Sequence, residues 1–430
     1  MWFWASMNLS AWNDNRSMSC SQSNTYSSHT ERRVSMSSTV QAAVPVQVHR
    51  TRLVSGVIRS DLNYSTILPR DYYVDEKIFE KEFEKVFSTQ WTYVGHVSQV
   101  ARVGDYFLDN IAGESIVVVR ESADRISAFH NVCRHRGHHL CSSESGNVRR
   151  LTCPYHFWSY GLDGNLLNVP GSKDGANFDY NDWPLKRVNL EVFHGFIFAC
   201  LSEQPPASLV EKFSAVSADL ETVKTESLKE VGRESYEIHA NWKTLLENYL
   251  ECYHCQGSHP TLCQSMDLQA MFRGTDEWQE PYFTGKVPLR PGVKTVSMDG
   301  QLVSKPLGDL QKLDEVPEGF GTGFGIVPLL SRVLIHADHV VVHAMRPLDV
   351  GRVKWETRWY VGSDAVEGTD YRAANVAAVW SATNKEDAAL CQGAYNGVRS
   401  RSFTPGPVDD SRESAIPAAL RAYLELMQAD

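Results

Sequence analysis

Apolar residues recur at helical spacing through N-W-K-T-L-L-E-N-Y-L-E-C-Y-H-C-Q-G-S-H-P, residues 241–260. Trp242, Leu245, Leu246, Tyr249, Leu250 and Tyr253 make one stripe that packs inward, and Glu247, Glu251 and His254 gather on another face. Gly257 is expected to break this helix, letting His259 turn back towards His254. Order is expected to begin near Leu68 and Pro69, ahead of a helix over 74–87 with Ile78, Phe79, Phe83, Val86 and Phe87 as its apolar stripe. From 91 to 201 the pattern changes to short β-branched and aromatic runs at 105–109, 115–120, 126–130 and 188–201, bounded by Gly, Asn or Asp. Further on, 336–347 and 354–361 predict two antiparallel strands joined by a turn at 349–352. Residues 368–379 and the segment after Asn384 predict helices.

These periodicities predict an α+β chain in four parts: an extension over 1–45, a helical segment over 46–90 that packs on the C-terminal domain, a small all-β domain over 91–205, and a larger domain over 206–430. The extension is serine-rich and predicts disorder. Arg16, Arg32 and Arg33 give it some likeness to an organelle transit peptide, although a plain extension or a start codon set ahead of Met7, Met18 or Met36 accounts for it better. A net charge of -10 argues against a nucleic-acid partner. No apolar run approaches the ~20 residues of a membrane span, so a cytoplasmic protein is expected. Nine cysteines, an odd number at irregular spacing, suggest thiols and metal ligands of a reducing compartment and not a disulfide framework.

The β domain carries Cys133-Arg-His135 and, after seventeen residues, Cys153-Pro-Tyr-His156. Two thiolates and two imidazoles on two loops are the ligand set of a Rieske [2Fe-2S] centre, and also of a tetrahedral zinc site. The single residue inside the first pair argues against zinc. His254 and His259, with carboxylates nearby, suit a ferrous ion with open coordination positions, unless they are ordinary histidines near a helix end. Glu386 and Asp387 fall in the first turn of a helix capped by Thr383 or Asn384, where acids complement the helix dipole whatever else they do.

The segments C-R-H-R-G-H-H-L-C and C-P-Y-H-F-W-S-Y-G-L-D-G-N-L resemble the cluster loops of Rieske non-haem iron oxygenases, the α subunits of aromatic-ring-hydroxylating dioxygenases and related monooxygenases and N-demethylases. The resemblance spans about residues 65–400. It implies a [2Fe-2S] cluster on Cys133, His135, Cys153 and His156, and a mononuclear Fe(II) on His254, His259 and a late carboxylate, Asp387 first and Glu386 second. It further implies that Glu251 links the iron histidine of one subunit to a cluster histidine of its neighbour. Electrons then come from a separate NAD(P)H-dependent reductase or ferredoxin, and the assembly is a cyclic homotrimer, in some relatives with a β subunit. The larger domain becomes a helix-grip fold with an antiparallel sheet. Two positions depart from the pattern: Phe157 stands where relatives usually have glycine or alanine, and Glu251 where ring dioxygenases have aspartate. Respiratory Rieske proteins are excluded, because their extra disulfide needs cysteines where His138 and Tyr155 stand. Arg134, Arg136, Arg149 and Arg150 make the cluster loops basic and are read either as a docking patch for an acidic reductase or as solvated loop charge.

E-N-Y-L-E-C-Y-H-C, S-H-P and E-D-A-A-L-C resemble most the branch that oxidises choline, glycine betaine and carnitine. This implies O2, a small quaternary ammonium substrate and hydroxylation of an N-methyl group. Phe320, Phe324, Trp355, Trp359 and Tyr395 are candidates for an aromatic cage around the cation. The alternative is a dioxygenase acting on an aromatic acid, with Arg346 or Arg358 pairing the carboxylate. An electron-transfer protein without oxygenase turnover is a third reading, against which the set His254, His259 and Asp387 speaks.

Overall fold

The computed structural model describes residues 65–171, 178–272, 276–279, 281–327, 331–409 and 411–429, together with the antiparallel pair Arg52–Val54 and Val57–Arg59. The extension expected to be disordered lies outside the described residues. Two seven-stranded antiparallel sheets organise the remainder. In the first, the spatial order is Thr92–His96, Phe196–Cys200, Arg187–Phe193, Ile126–His130, Glu114–Arg120, Asp105–Ile111 and Ser145–Asn147. Alternation along Glu114–Arg120 serves two cores at once: Val117 and Val119 pack towards Cys133 and Cys153, while Ile116 and Val118 face the opposite side. A three-stranded sheet of Leu151–Thr152, Ser159–Tyr160 and Leu166–Asn168 carries the second cluster loop. The run 188–201 is a hairpin and not one strand, because His194 and Gly195 both take positive φ and reverse the chain.

The second sheet runs in the order Leu228–Ile238, Arg352–Gly362, Val340–Asp349, Ser331–His336, Gly321–Ile326, Tyr282–Lys286 and Asp276–Gln279. His336 closes one strand and does not open the next, which starts at Val340. Leu334, Val341, Trp359 and Val361 pack on the face that meets Val376, Val379 and Trp380 of a long helix. That helix is continuous over Ala373–Val398, so the two helices expected here are one, and Thr383 and Asn384 are buried in its interior instead of capping it. Asn384 reaches sideways to the Thr357 hydroxyl at 2.9 Å, and Thr383 bonds back to the Val379 carbonyl at 3.0 Å.

Four helices matter below: α1 (Glu76–Glu82), which widens into a π-turn at Phe83–Phe87, α2 (Trp242–Tyr249), α3 (Ala373–Val398) and α4 (Ala415–Gln428). Asn241 caps α2 by accepting from the Lys243 N–H at 3.0 Å, and its own amide donates to the Val350 carbonyl at 2.8 Å. Helix α2 ends at Tyr249, about two turns short of the expected Gly257. Glu251 is the reason: its Oε2 accepts from the backbone N–H groups of Tyr253 and His254, which starts a separate turn at Cys255–Ser258 that contains Gly257. Tyr253 is consequently exposed and not part of the buried stripe.

Helices α1, α2 and α4 meet at one carboxylate. Glu82, fully buried, accepts from Lys243 Nζ at 2.6 Å, Trp242 Nε1 at 2.7 Å and the Tyr423 hydroxyl at 2.6 Å. The Lys243 ammonium in turn lies 4.6, 5.3 and 5.9 Å from the ring centres of Trp242, Tyr423 and Tyr73. His96 ties the first sheet to the turn that leads into the second: its Nε2–H donates to the Thr225 carbonyl at 2.9 Å, and its Nδ1 accepts from the Ser98 hydroxyl at 2.9 Å. Burial pushes its pKa down to about 4, with the Thr225 bond opposing.

Lys243→Met leaves the Glu82 charge buried without its counter-ion and is expected to cost about 3–5 kcal/mol, read as a lower denaturant midpoint. The Glu82→Gln, Lys243→Met double variant should cost less than the two single losses summed. His96 resists protonation in the folded state, so its contribution is intact above the ordinary histidine pKa and is lost as pH falls through about 4. Over that window stability should drop by about 3 kcal/mol in the native chain and by clearly less in His96→Gln, and parallel denaturation profiles for the two would refute the assignment.

Candidate functional site

The two Cys-His loops share one backbone design. In the first, the Cys133 N–H donates to the His138 carbonyl at 2.9 Å and the Gly137 N–H to the Cys133 carbonyl at 3.0 Å. In the second, the Cys153 N–H donates to Trp158 at 2.9 Å and the Phe157 N–H to Cys153 at 3.0 Å. Position four after each cysteine is left-handed, with φ of 75° at Gly137 and 59° at Phe157. The departure at Phe157 therefore carries a backbone cost of about 1–2 kcal/mol, and its side chain stands exposed at the loop tip.

Cys133 and Cys153 are buried, and burial raises the Cys153 thiol pKa. His135 and His156 sit outside them with ring centres 4.6 Å apart, and His135 stacks on Trp158 at 4.8 Å. Two sulfurs inside and two imidazoles outside fit a [2Fe-2S] group with one iron on each pair. Tyr160, which sequence reasoning quoted only as a flank, places its hydroxyl 3.5 Å from Cys133 Sγ and accepts from the Arg134 N–H at 3.1 Å. Arg136, Arg149 and Arg150 are exposed, whereas Arg134 is partly buried over the Trp183 ring.

The second site closes a triangle. His254 Nε2 and His259 Nε2 are 2.9 Å apart, and Asp387 Oδ1 lies 3.2 Å from the first and 3.0 Å from the second. Each imidazole is fixed from behind: His254 Nδ1 donates to Glu251 at 2.5 Å and His259 Nδ1 to Glu386 at 2.8 Å. With the protons on Nδ1, three lone pairs converge, and Asp387 Oδ1 is buried without a hydrogen-bond donor. An octahedral face with bonds of about 2.1 Å has edges of about 3.0 Å, so the donor set fits a six-coordinate divalent ion with the opposite face open.

In the ion's place, the same carboxylates would hold a proton on the imidazoles. Burial opposes charge on the imidazoles, yet bonds to Asp387 and then Glu251 carry His254 up to about 9, and Asp387 and Glu386 raise His259. Asp387 is drawn below the ordinary carboxylate range by the two imidazoles despite its burial. Asp387 and Glu386 thus occupy different places, the first facing both Nε2 atoms and the second behind His259. Both come from the middle of α3 and not from a first turn.

Cys252 and Cys255 form a disulfide that brackets His254, with Cα atoms 4.9 Å apart, a single bridge among the described residues where thiols and metal ligands were expected and not a disulfide framework. The C-x-x-C spacing in a turn is what brings them together. Among the described residues the remaining cysteines, Cys133, Cys141, Cys153, Cys200, Cys263 and Cys391, are free.

A cleft of about 180 Å³ opens beside the triangle. Its wall includes Tyr249, Leu334, Trp380, Thr383, Lys286 and Arg332. None of the five aromatic residues expected to cage a cation lines it. Phe324 packs among Phe193, Phe196 and Phe213, Trp359 lies between sheet and α3, and Tyr395 is buried near Val350. Phe320 sits at the edge of the Phe324 core, and Trp355 lies behind Tyr249 at 5.1 Å. Arg346 and Arg358 are also elsewhere, paired with Asp109 and Glu356 at the junction of the two sheets. Tyr249, Trp380 and Arg332 were not singled out from the sequence for this role. The one available sign was that Tyr249 ends the stripe of α2 next to Glu251.

Residues 90–187 match the Rieske [2Fe-2S] domain, and residues 225–429 match the ring hydroxylating alpha subunit (catalytic domain). The glycine betaine monooxygenase oxygenase subunit of Pseudomonas aeruginosa PAO1 is 31% identical over 427 residues, covering 91% of this chain and 96% of that one. The carnitine monooxygenase oxygenase subunit of Escherichia coli K12 is 40% identical over 204 residues, 47% of this chain and 54% of its own. In fold, the quaternary ammonium Rieske monooxygenase CntA in complex with L-carnitine superposes with a TM-score of 0.67 at 22% identity, over 86% of this chain and 97% of that one. Naphthalene 1,2-dioxygenase from Rhodococcus sp. does so with 0.68 at 20%, over 85% and 95%. The two matched domains bind a [2Fe-2S] cluster and a mononuclear iron. With both domains in order and a relative matched along nearly its whole length, this chain belongs to the Rieske oxygenases with a ring-hydroxylating-type α subunit and is an oxidoreductase.

Proposed function

We propose that this chain is the oxygenase component of a monooxygenase that removes an N-methyl group from a small quaternary ammonium compound. The observation that carries the reading is the triangle of His254, His259 and Asp387 beside a cleft walled by Tyr249 and Trp380, faces that suit a methylated cation. The names of the relatives from Pseudomonas aeruginosa and Escherichia coli point to the same chemistry. Bound to these sites, the cluster on Cys133, His135, Cys153 and His156 supplies electrons singly and the iron on His254, His259 and Asp387 activates dioxygen.

The chain's own residues do the remainder. Glu251 and Glu386 hold the imidazoles in one tautomer and orientation, and α3 fixes the carboxylate against them. Leu334, Tyr249 and Trp380 limit water in the cleft and hold one methyl group towards the triangle. In the net reaction O2 accepts two electrons and two protons; one oxygen enters a C–H bond and the other leaves as water. The hydroxymethyl ammonium product then collapses to a tertiary amine, formaldehyde and a proton.

Electrons come from a separate NAD(P)H-dependent reductase or ferredoxin, for which exposed Arg136, Arg149 and Arg150 offer positive charge. Glu251, bonded to His254, would link that imidazole to a cluster histidine of a neighbouring subunit, which calls for a closed ring such as a homotrimer. No helix among the described residues is long and apolar enough to cross a membrane.

Asp387→Ala is expected to lose the mononuclear iron and keep the cluster, so that iron per chain falls by about a third while the visible cluster spectrum persists. Oxygen uptake with reductase and NADH should be stimulated by betaines with formaldehyde released in equal amount. Uptake stimulated only by aromatic acids, giving hydroxylated rings, would replace this reading.

A further inference from the structure

We infer that the substrate carries a carboxylate, and that Arg332 binds it together with the Tyr249 hydroxyl and the Trp380 indole N–H. This deepens the N-methyl oxidation reading and rests on it. Three cations line the cleft. Lys286 is spent on Asp219 at 2.6 Å, and Arg412 lies 4.0 Å from Asp409 and over the Tyr253 ring. Arg332 has no acidic partner among the described residues, and its guanidinium sits 5.6 Å from the centre of the Tyr249 ring. Three buried polar atoms of the same cleft wall have no hydrogen-bond partner: Arg332 Nε, the Tyr249 oxygen and Trp380 Nε1.

All three carry a hydrogen to donate, and each buried donor left unmatched is a cost that an acceptor-rich ligand removes. A carboxylate supplies two acceptor oxygens and the charge that the guanidinium fork is shaped to take. A cation without an anionic group, bound in the same direction, would leave the Arg332 charge and the neighbouring donors unmatched. Tyr249 lies between the two ends of the cleft: both the Arg332 cation and the Asp387 anion shift its hydroxyl, after burial, and His343 beside it also registers both. A zwitterion therefore fits in one direction, its carboxylate at Arg332 and its N-methyl end towards the triangle. Betaines meet this demand and choline does not.

The test is calorimetric binding to the iron- and cluster-loaded protein, with glycine betaine, choline and benzoate as probes. Wild type should bind glycine betaine at least about 10-fold more tightly than choline, and Arg332→Met should weaken glycine betaine about 10- to 100-fold while leaving choline no weaker. Arg332→Lys should recover part of the loss, and Tyr249→Phe should reproduce it in smaller measure. Iron content and the cluster spectrum of each variant separate this effect from misfolding. Equal weakening of choline and glycine betaine, or none, overturns the assignment of Arg332. Arg332-dependent binding of benzoate with none of glycine betaine would keep the carboxylate site and sink the N-methyl reading.

Discussion

The buried Glu82 carboxylate is the constraint from which the catalytic half takes its shape. It draws on an ammonium, an indole and a phenol that come from α2 and α4, and it lies itself on α1. A charge in that setting is tolerable only while every donor stays in place. Helix α2 is thereby held at its first turn, where Trp242 and Lys243 sit, and its far end delivers Tyr249 and then Glu251 to the triangle of His254, His259 and Asp387. The rings of Tyr73, Trp242 and Tyr423, none of them among the aromatics expected to cage a substrate cation, enclose the chain's own Lys243.

Two kinds of rigidity meet at the triangle. Asp387 rides on a continuous helix, whereas His254 and His259 come from a short turn held by Glu251, Glu386 and the Cys252–Cys255 bridge. Carboxylates behind both imidazoles compensate for the lack of regular structure there. They also make the site strongly receptive to positive charge, as the elevated His254 pKa records.

Local features were legible in the sequence and long-range ones were not. The two Cys-His loops could be read because each carries its Cys-His pair within four residues, and the strands at 105–109, 115–120 and 126–130 because alternation is a local signal. The length of α2 was misjudged because its stripe continues to Tyr253 in sequence while Glu251 diverts the backbone, a side-chain effect that periodicity does not register. Residues 368–398 were divided at Asn384 because a polar residue suggested a cap, whereas Asn384 finds its partner in Thr357 on a neighbouring strand. Arg346 and Arg358 looked as suitable as any arginine for a carboxylate. Strand pairing sends them to the junction of the sheets and turns Arg332, on Ser331–His336, into the cleft.

The placement of Asp387 about four turns from the start of α3 and about three from its end bears on how such an enzyme changes its diet. A helix interior cannot shift one residue without moving its neighbours, so Asp387 is a poor place to tinker. The opposite wall is built from strand residues, among them Leu334 and Arg332, whose side chains can be exchanged without displacing the backbone that carries His254, His259 and Asp387. The sheet side of the cleft is thus the wall free to diverge, and the helix side is the fixed anvil.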